Sequence, residues 1–556
     1  MKQPFFSLSP KKRAFLTGTL LLTGTGFLCR ILGFFYRIFM SRTIGAEGLG
    51  IYNMVHPVFG ICFALCAGSI QTALSQYVAS NQKKGRAVFR TGLLISLTLS
   101  FFLAFLIYHT SPFIARYLLL EPRCEPYLLI MAFSVPFAAL HACINGYYYG
   151  MQKSHVPAFS QVTEQVIRMT AVFGIVQVMQ QSGKEITVSL AVYGHLIGEM
   201  ASAAFTLFCL MAFPPAKKQT WAALHSQYVP SHKPGKALEA AKKADKASAV
   251  SFCTWYTDTQ EDSFRWTHYA LPLLALALPL MGNRLVLNLL ASAEAIWIPN
   301  RLTAYGLSSS QAFSIYGVLT GMALPFIMFP SAITNSMAVL LLPSVAQAQA
   351  EGDSRQISSA ISMALRYSLY MGILCTGIFF LYGRELGSSV FQSPAAGAYI
   401  RVLGWLCPFM YLATTLGSIL NGLGKTPATF IQNVCSLCLR LVFVLLGIPV
   451  LGMKAYLWGI LASEMFLAFW HLITLHRFVP FTWDGIQMLG KPIILLSAAI
   501  WTNQALWNYS MLFLPKALAP GASLAFFGTA LKIISLSGLY GLFLLLCHIF
   551  LSERPA

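Results

Sequence analysis

The sequence predicts an all-α polytopic membrane protein with about 14 transmembrane helices, two pseudo-symmetric six-helix bundles around a central cleft plus two accessory helices. Three observations carry that prediction. The 556 residues are 56% hydrophobic and only 10% charged, where soluble domains carry about a quarter charged residues. Apolar runs of about 20 residues or more, long enough to cross hydrocarbon, recur along nearly the whole chain. Three pairs of short motifs recur in the same order, each pair six spans apart.

The first element follows the basic segment MKQPFFSLSPKKRAFL. It imitates a secretion signal, but the apolar run at 14–40 is too long and no small-residue cleavage site follows, so it reads as a retained span. Further spans are expected at 49–75, 88–109, 126–149, 157–179 and 186–212, completing a first bundle over 1–212. A basic connection, 213–267, contains KKQTW, HKPGK and EAAKKADKAS and reads as a solvated cytoplasmic linker. A second bundle over 268–475 has spans at 268–290, 314–342, 358–382, 399–420, 428–448 and 454–475. Two accessory spans, 491–513 and 524–550, fill 476–556. Pro57, Gly60, Pro325 and Pro330 interrupt the second and eighth spans, as is tolerated where protein or a cavity surrounds the backbone.

The net charge is +20, from 38 Lys and Arg against 18 Asp and Glu. Much of the excess lies in short loops and tails, which points to an anionic membrane surface and not to nucleic acid. Lys11, Lys12 and Arg13, then Lys83, Lys84 and Arg86, then Lys153, Arg355, Lys425 and Arg477 fall on one side if the spans alternate. Both termini are therefore expected in the cytoplasm. The other side is not empty of charge: Arg116, Arg123, Lys184 and Arg384 lie there. The 12 Cys show no disulfide or zinc spacing and read as small apolar filler.

The repeat pairs GSIQTALSQ with PSAITNSMA, Asn145-Gly146 with Asn421-Gly422, Arg168 with Arg440, and Glu199 with Glu464. An offset of six spans preserves orientation, so the copies relate by an axis along the membrane normal, a recurring transporter design.

The candidate site residues are the charges inside spans. Arg30 and Arg37, in CRILGFFYR, are seven apart and share one helix face. An arginine at mid-membrane costs roughly 2.5–3.5 kcal/mol even on lower scales, so it calls for water, an anionic partner or a shallow position. Arg284 lies in the seventh span, the repeat partner of the first. Facing one another, these three would line a cationic chamber suited to an anion with an apolar portion, such as a lipid phosphate or diphosphate. Snorkelling is the alternative for Arg37 and Arg42, and an ion pair with Glu294 or Glu199 is the alternative for Arg284. Glu164, Glu199, Glu294 and Glu464 are available either for structural pairing with Arg168, Arg284 or Arg440, or for a coupling proton or monovalent cation. Tyr147, Tyr148 and Tyr149 read as an interfacial aromatic belt, and His141 and His195 as lone histidines near span ends. No phosphate loop, metalloprotease helix or nucleophile elbow is present, so an enzyme is not expected.

The chain resembles the multidrug/oligosaccharidyl-lipid/polysaccharide flippase superfamily, in its polysaccharide-exporter branch. The resemblance rests on RILGFFYR and GAEGLGIYN at 30–53, NGYYYGMQKSHVPAFSQVTEQVIR at 145–168 and NRLTAYGLS at 300–308. It rests also on ALPFIMFPSAITNSMAVLLLPSVAQAQAEGD at 323–353 and NGLGK at 421–425. It implies two six-helix bundles in a V, no ATP hydrolysis, and no cofactor beyond a coupling cation. It implies alternating-access movement of an undecaprenyl-diphosphate-linked glycan, for spore cortex peptidoglycan or another cell-wall polysaccharide. The family's first-span arginines fall, in kind, on Arg30 and Arg37, and Arg284 matches a seventh-span position. The implied setting is the multi-pass cell membrane of a Gram-positive spore former, with a monomer acting beside membrane lipids and cell-wall synthesis enzymes and without nucleic acid. A cation-coupled multidrug exporter of the same fold and a non-transporting cell-wall scaffold are the alternatives.

Overall fold

A computed structural model describes residues 10–215, 266–481, 484–513 and 522–552. The 213–267 connection lies almost wholly outside these residues. Every described element is helical, and the described residues include 14 helices long and apolar enough to cross a membrane. Two of those, Ser309–Met328 and Ser331–Glu351, are consecutive halves of one bent pass, joined at Phe329 and Pro330 without packing on each other. Lys491–Phe513 is less apolar and supplies a further pass.

We number the passes α1 Pro10–Thr43, α2 Gly45–Ser80, α3 Gly85–Leu118, α4 Pro122–Gly150, α5 His155–Gln181 and α6 Ser189–Ala212. There follow α7 Trp266–Ala304, α8 Ser309–Glu351, α9 Ser354–Phe391, α10 Pro394–Gly422, α11 Thr426–Leu451 and α12 Met453–Phe478. Lys491–Phe513 and Ala522–Ser552 are α13 and α14, which pack on each other and on α9.

The helices outrun the apolar segments from which they were expected. The seventh was expected at 268–290 and extends to Ala304; the eighth was expected at 314–342 and runs from Ser309 to Glu351. Local chemistry sets several of these ends. A capping box starts α8: Ser308 Oγ accepts from Gln311 N and Ser308 N donates to Gln311 Oε1. Asp353 caps α9 through the amides of Arg355 and Gln356, and Ser393 caps α10 ahead of Pro394. Pro57, Gly60 and Pro325 do not end the helices that carry them, whereas α8 breaks for one turn at Phe329 and Pro330, as the sequence led us to expect. Both passes also carry a wide turn of π type, at Ala64–Gly68 and Val318–Ala323.

The repeat is visible in the packing. Gly146 of α4 brings its backbone against Gln71 of α2, where a Cβ would sit 2.7 Å from the carbonyl oxygen. Gly422 of α10 does the same against Leu342 of α8, at 2.8 Å. The turns that follow each contain a left-handed residue before a lysine, Gln152–Lys153 and Gly424–Lys425. Tyr147 and Tyr148 are not an aromatic belt. Both are buried; Tyr147 stacks on Phe89, and the Tyr148 hydroxyl donates to the carbonyls of Cys209 and Phe213. The hydroxyl finds its acceptors at the end of α6, which removes the reason for it to seek the interface.

The two halves meet through α7, which packs on α2 and α3, and through the crossing of α2 and α8, with Gly50 facing Phe313 and Gly317 facing Ala46 so closely that a Cβ on either would strike backbone. Helix α7 bridges them. Its first half packs Leu273 and Ala277 with Leu74 and Phe89 of the first bundle, while Ile298 and Leu302 join the core of the second.

Candidate functional site

Arg30, Phe34 and Arg37 lie on one face of α1, at positions i, i+4 and i+7. The Phe34 ring packs against Phe329 and Phe326 of α8, with centroids 4.9 and 5.3 Å away. That face of α1 is therefore turned toward the opposite bundle. Both arginines are exposed, and neither has a carboxylate partner among the described residues. Arg284 is also exposed, but its guanidinium donates to Thr72 Oγ1 on α2 at 3.0 Å, lying over Gly68. It pairs with neither Glu294 nor Glu199, because both carboxylates are held elsewhere.

The remaining intramembrane charges form two clusters, one inside each bundle. In the first, Arg168 bonds Glu164 one turn before it on α5. Gly198 on α6 leaves room for the guanidinium: a Cβ there would lie 2.8 Å from Arg168 Nε. Glu199, next in sequence, is buried and meets His141 Nε2 at 2.8 Å. His195 Nε2 stands 3.9 Å from Glu199 and has no hydrogen-bond partner among the described residues. Donor atoms of His141, Glu164 and Glu199 all lie within 4.8 Å of one another, a spacing compatible with a shared proton or a small cation.

In the second cluster, Arg440 of α11 meets Glu294 of α7 at 2.9 Å and Glu464 of α12 at 3.9 Å. The Tyr456 hydroxyl donates to Glu294 at 2.5 Å. A cavity of about 300 Å³ opens onto this group, lined also by Tyr316, Thr320 and Met328. Each cluster thus sets two carboxylates around one arginine. The repeat-matched pairs Arg168/Arg440 and Glu199/Glu464 occupy corresponding helices, but the second carboxylate comes from α5 in one bundle and from α7 in the other.

Of His141, His195, Tyr456 and Arg42, only His195, one turn before Glu199, has a local sequence signal for its partner. His141 and His195 are not lone histidines; they converge on Glu199 from α4 and α6. Tyr456 reaches Glu294 across 162 positions. Arg42 does not simply snorkel. It donates to the carbonyls of Val390, at 2.6 and 3.0 Å, and Ser389, at 3.1 Å, at the end of α9 in the opposite bundle. On the same face of the molecule Arg123 bonds Glu47, Glu121 and Ser309, while Ser310 donates to Glu47. The bundles are therefore tied by polar contacts at the end where α1 turns into α2.

Among known families, the model described as polysaccharide biosynthesis protein matches residues 15–229, and that described as MatE matches residues 300–446. Stage V sporulation protein B of Bacillus subtilis (strain 168) is 26% identical over 476 residues, covering 84% of this chain and 85% of its own. Sporulation protein YkvU of the same organism is 21% identical over 464 residues, covering 83% and 95%. A solved structure of lipid II flippase MurJ in an inward closed conformation superposes with a TM-score of 0.67 at 13% identity, covering 96% of this chain and all of that one. That likeness speaks for the fold.

Proposed function

We propose that this chain, which belongs to the MOP superfamily of flippases and exporters in its polysaccharide-exporter and MatE branch, moves a lipid-linked glycan across the membrane that its helices span. It is a transporter and not a catalyst. The cargo is an undecaprenyl-diphosphate-linked precursor, of spore cortex peptidoglycan or another wall polysaccharide. The sporulation proteins among its relatives support a Gram-positive spore-forming setting. Both termini face the cytoplasm, one polypeptide suffices, and wall-synthesis enzymes receive the delivered precursor.

The observation that carries this reading is the contrast among arginines. Arg168 and Arg440 are neutralised inside their bundles. Arg30 and Arg37 stand exposed on the face of α1 that is turned to the other bundle, with no carboxylate partner among the described residues. Charge at such depth is offset by water or by an anionic cargo, and guanidinium forks match phosphate oxygens. Arg284 contributes from α7, held in place by Thr72.

A proton or monovalent cation drives the cycle. In the first cluster two carboxylates face one arginine, which leaves one negative charge for His141 or a bound cation to balance.

The test is leaflet-resolved flipping of undecaprenyl-linked lipids by purified protein in liposomes, scored per folded molecule. Arg30→Ala should remove most transport at normal abundance and melting temperature. Arg30→Lys keeps the charge without the planar fork and should retain part of it. Normal flipping by Arg30→Ala would take Arg30 out of the translocation path.

A further inference from the structure

The membrane-facing flank of the second bundle carries a concavity that no transport step uses. It has a volume of about 770 Å³ and lies between α9, α10 and α12. Its rim holds Arg384 and Arg401, each about two turns inside its helix from the α9–α10 connection, and Lys454 at the start of α12. None of the three has a carboxylate partner among the described residues. Arg401 instead rests over the Phe380 ring, 4.6 Å from its centroid. Glu385, beside Arg384 in sequence, accepts from Thr529 of α14 and so is engaged on another side.

Below this rim the walls turn apolar. Trp405 and Phe409 continue down α10, and Trp458, Leu461 and Met465 down α12, at helical spacing. From Lys454 to Met465 the groove runs about 16 Å along α12 at the usual helical rise. Trp405 and Trp458 are 54% and 65% exposed, so the described residues do not close the trough. Leu406 belongs both to this wall and to the cavity over Arg440 and Glu464, so a single helix layer separates the groove from the second charge cluster.

We propose that this groove is a binding site for an anionic phospholipid, with its phosphate among Arg384, Arg401 and Lys454 and one acyl chain along Trp405, Trp458 and Met465. The charge argument selects the occupant. Three cations without protein anions at the head of an apolar trough complement a headgroup with net negative charge, and not a zwitterion whose own ammonium would meet them. The length and polarity gradient select a lipid over a free phosphate, because a phosphate alone would leave the trough unfilled.

The test needs no transport. The full chain is reconstituted in vesicles holding phospholipids with brominated acyl chains, which quench nearby tryptophan emission. The part of the emission lost in W405F/W458F reports on the groove. Brominated phosphatidylglycerol should quench that part at a lower mole fraction than brominated phosphatidylcholine, by about fivefold for each cation engaged, with the preference shrinking as salt rises. The variant R384Q/R401Q/K454Q should lose the preference and keep the quenching by phosphatidylcholine, which also shows that it is folded. Millimolar glycerol phosphate should leave quenching unchanged. Equal quenching of the unmodified protein by both lipids, a comparison that involves no variant, would reduce the groove to ordinary bilayer contact. Relief by glycerol phosphate would make it a headgroup site, and stronger quenching by a brominated polyprenyl phosphate would assign it to the carrier lipid; either result overturns the phospholipid assignment.

Discussion

Arg440, with about a fifth of its side chain exposed, is held by two carboxylates and holds them in turn. Removing one partner of such a group leaves uncompensated charge, whereas removing both can be nearly neutral. Arg440→Met should therefore destabilise the second bundle by about 3–5 kcal/mol, since Glu294 and Glu464 lose their cation. Arg440→Met combined with Glu294→Gln and Glu464→Gln should recover most of that loss. Tyr456→Phe, which removes one hydrogen bond to a charged acceptor, should cost about 1.5–3 kcal/mol. Thermal unfolding of the purified variants measures all three. If the Arg440→Met variant melts with the unmodified protein, the cluster is not a structural tie.

At the level of elements, the critical contact is the crossing of α2 and α8. Gly50 and Gly317 let the two backbones touch, and the side-chain bond from Asn53 to Thr320, at 3.0 Å, lies just beyond. The atoms that a Gly317→Ala methyl would meet are the Ala46 carbonyl and the Gly50 nitrogen, backbone atoms that cannot rotate away. The helices must separate instead. Cysteines placed at Asn53 and Thr320 should crosslink readily, and Gly317→Ala should reduce the yield severalfold. Gly174→Ala is the control, because no atom lies within 4 Å of the added methyl. An unchanged yield in Gly317→Ala would mean that the crossing tolerates slack.

For the whole molecule, polar ties gather on one face: Arg42 on the end of α9, and Arg123 with Glu47 and Glu121 on the start of α8. Exposed polar ties of this kind contribute little individually, about 0–1 kcal/mol each, and any conformation that parts the bundles at this face would have to give them up. Arg42→Gln with Arg123→Gln should raise the rate at which an impermeant thiol reagent modifies a cysteine at Asn53. A rate equal to that of the intact ties would show that the face is held shut by the glycine crossing alone. Orientation has its own check. A cysteine at Ser231, in the basic connection, should be slow to react with the same reagent in intact protoplasts, and fast reaction would invert the topology. Deleting 222–250 should leave most transport, because that Lys/Ala-rich segment lies outside both repeats.

The sequence alone carried the number of passes, the motif repeat that pairs them and the identity of the charged residues. Hydrophobic length must match a bilayer, and an even offset of spans preserves direction, so both are readable along one dimension. The pairings Arg168 with Arg440 and Glu199 with Glu464 were legible for the same reason. What binds to what was not. Glu294 stood past the apolar run, and only the helix that carries on to Ala304 brings it to Arg440 and Tyr456. His195 precedes Glu199 by one turn of α6, and His141 reaches the same carboxylate only because α4 and α6 pack side by side. Arg42 resembled any interfacial cation until α9 brought its terminal carbonyls within reach. Apart from His195 and Glu199, one turn apart on α6, such partners lie tens to hundreds of positions apart. Their choice depends on which helix faces are buried together, a property of the assembled bundles that no window of sequence contains.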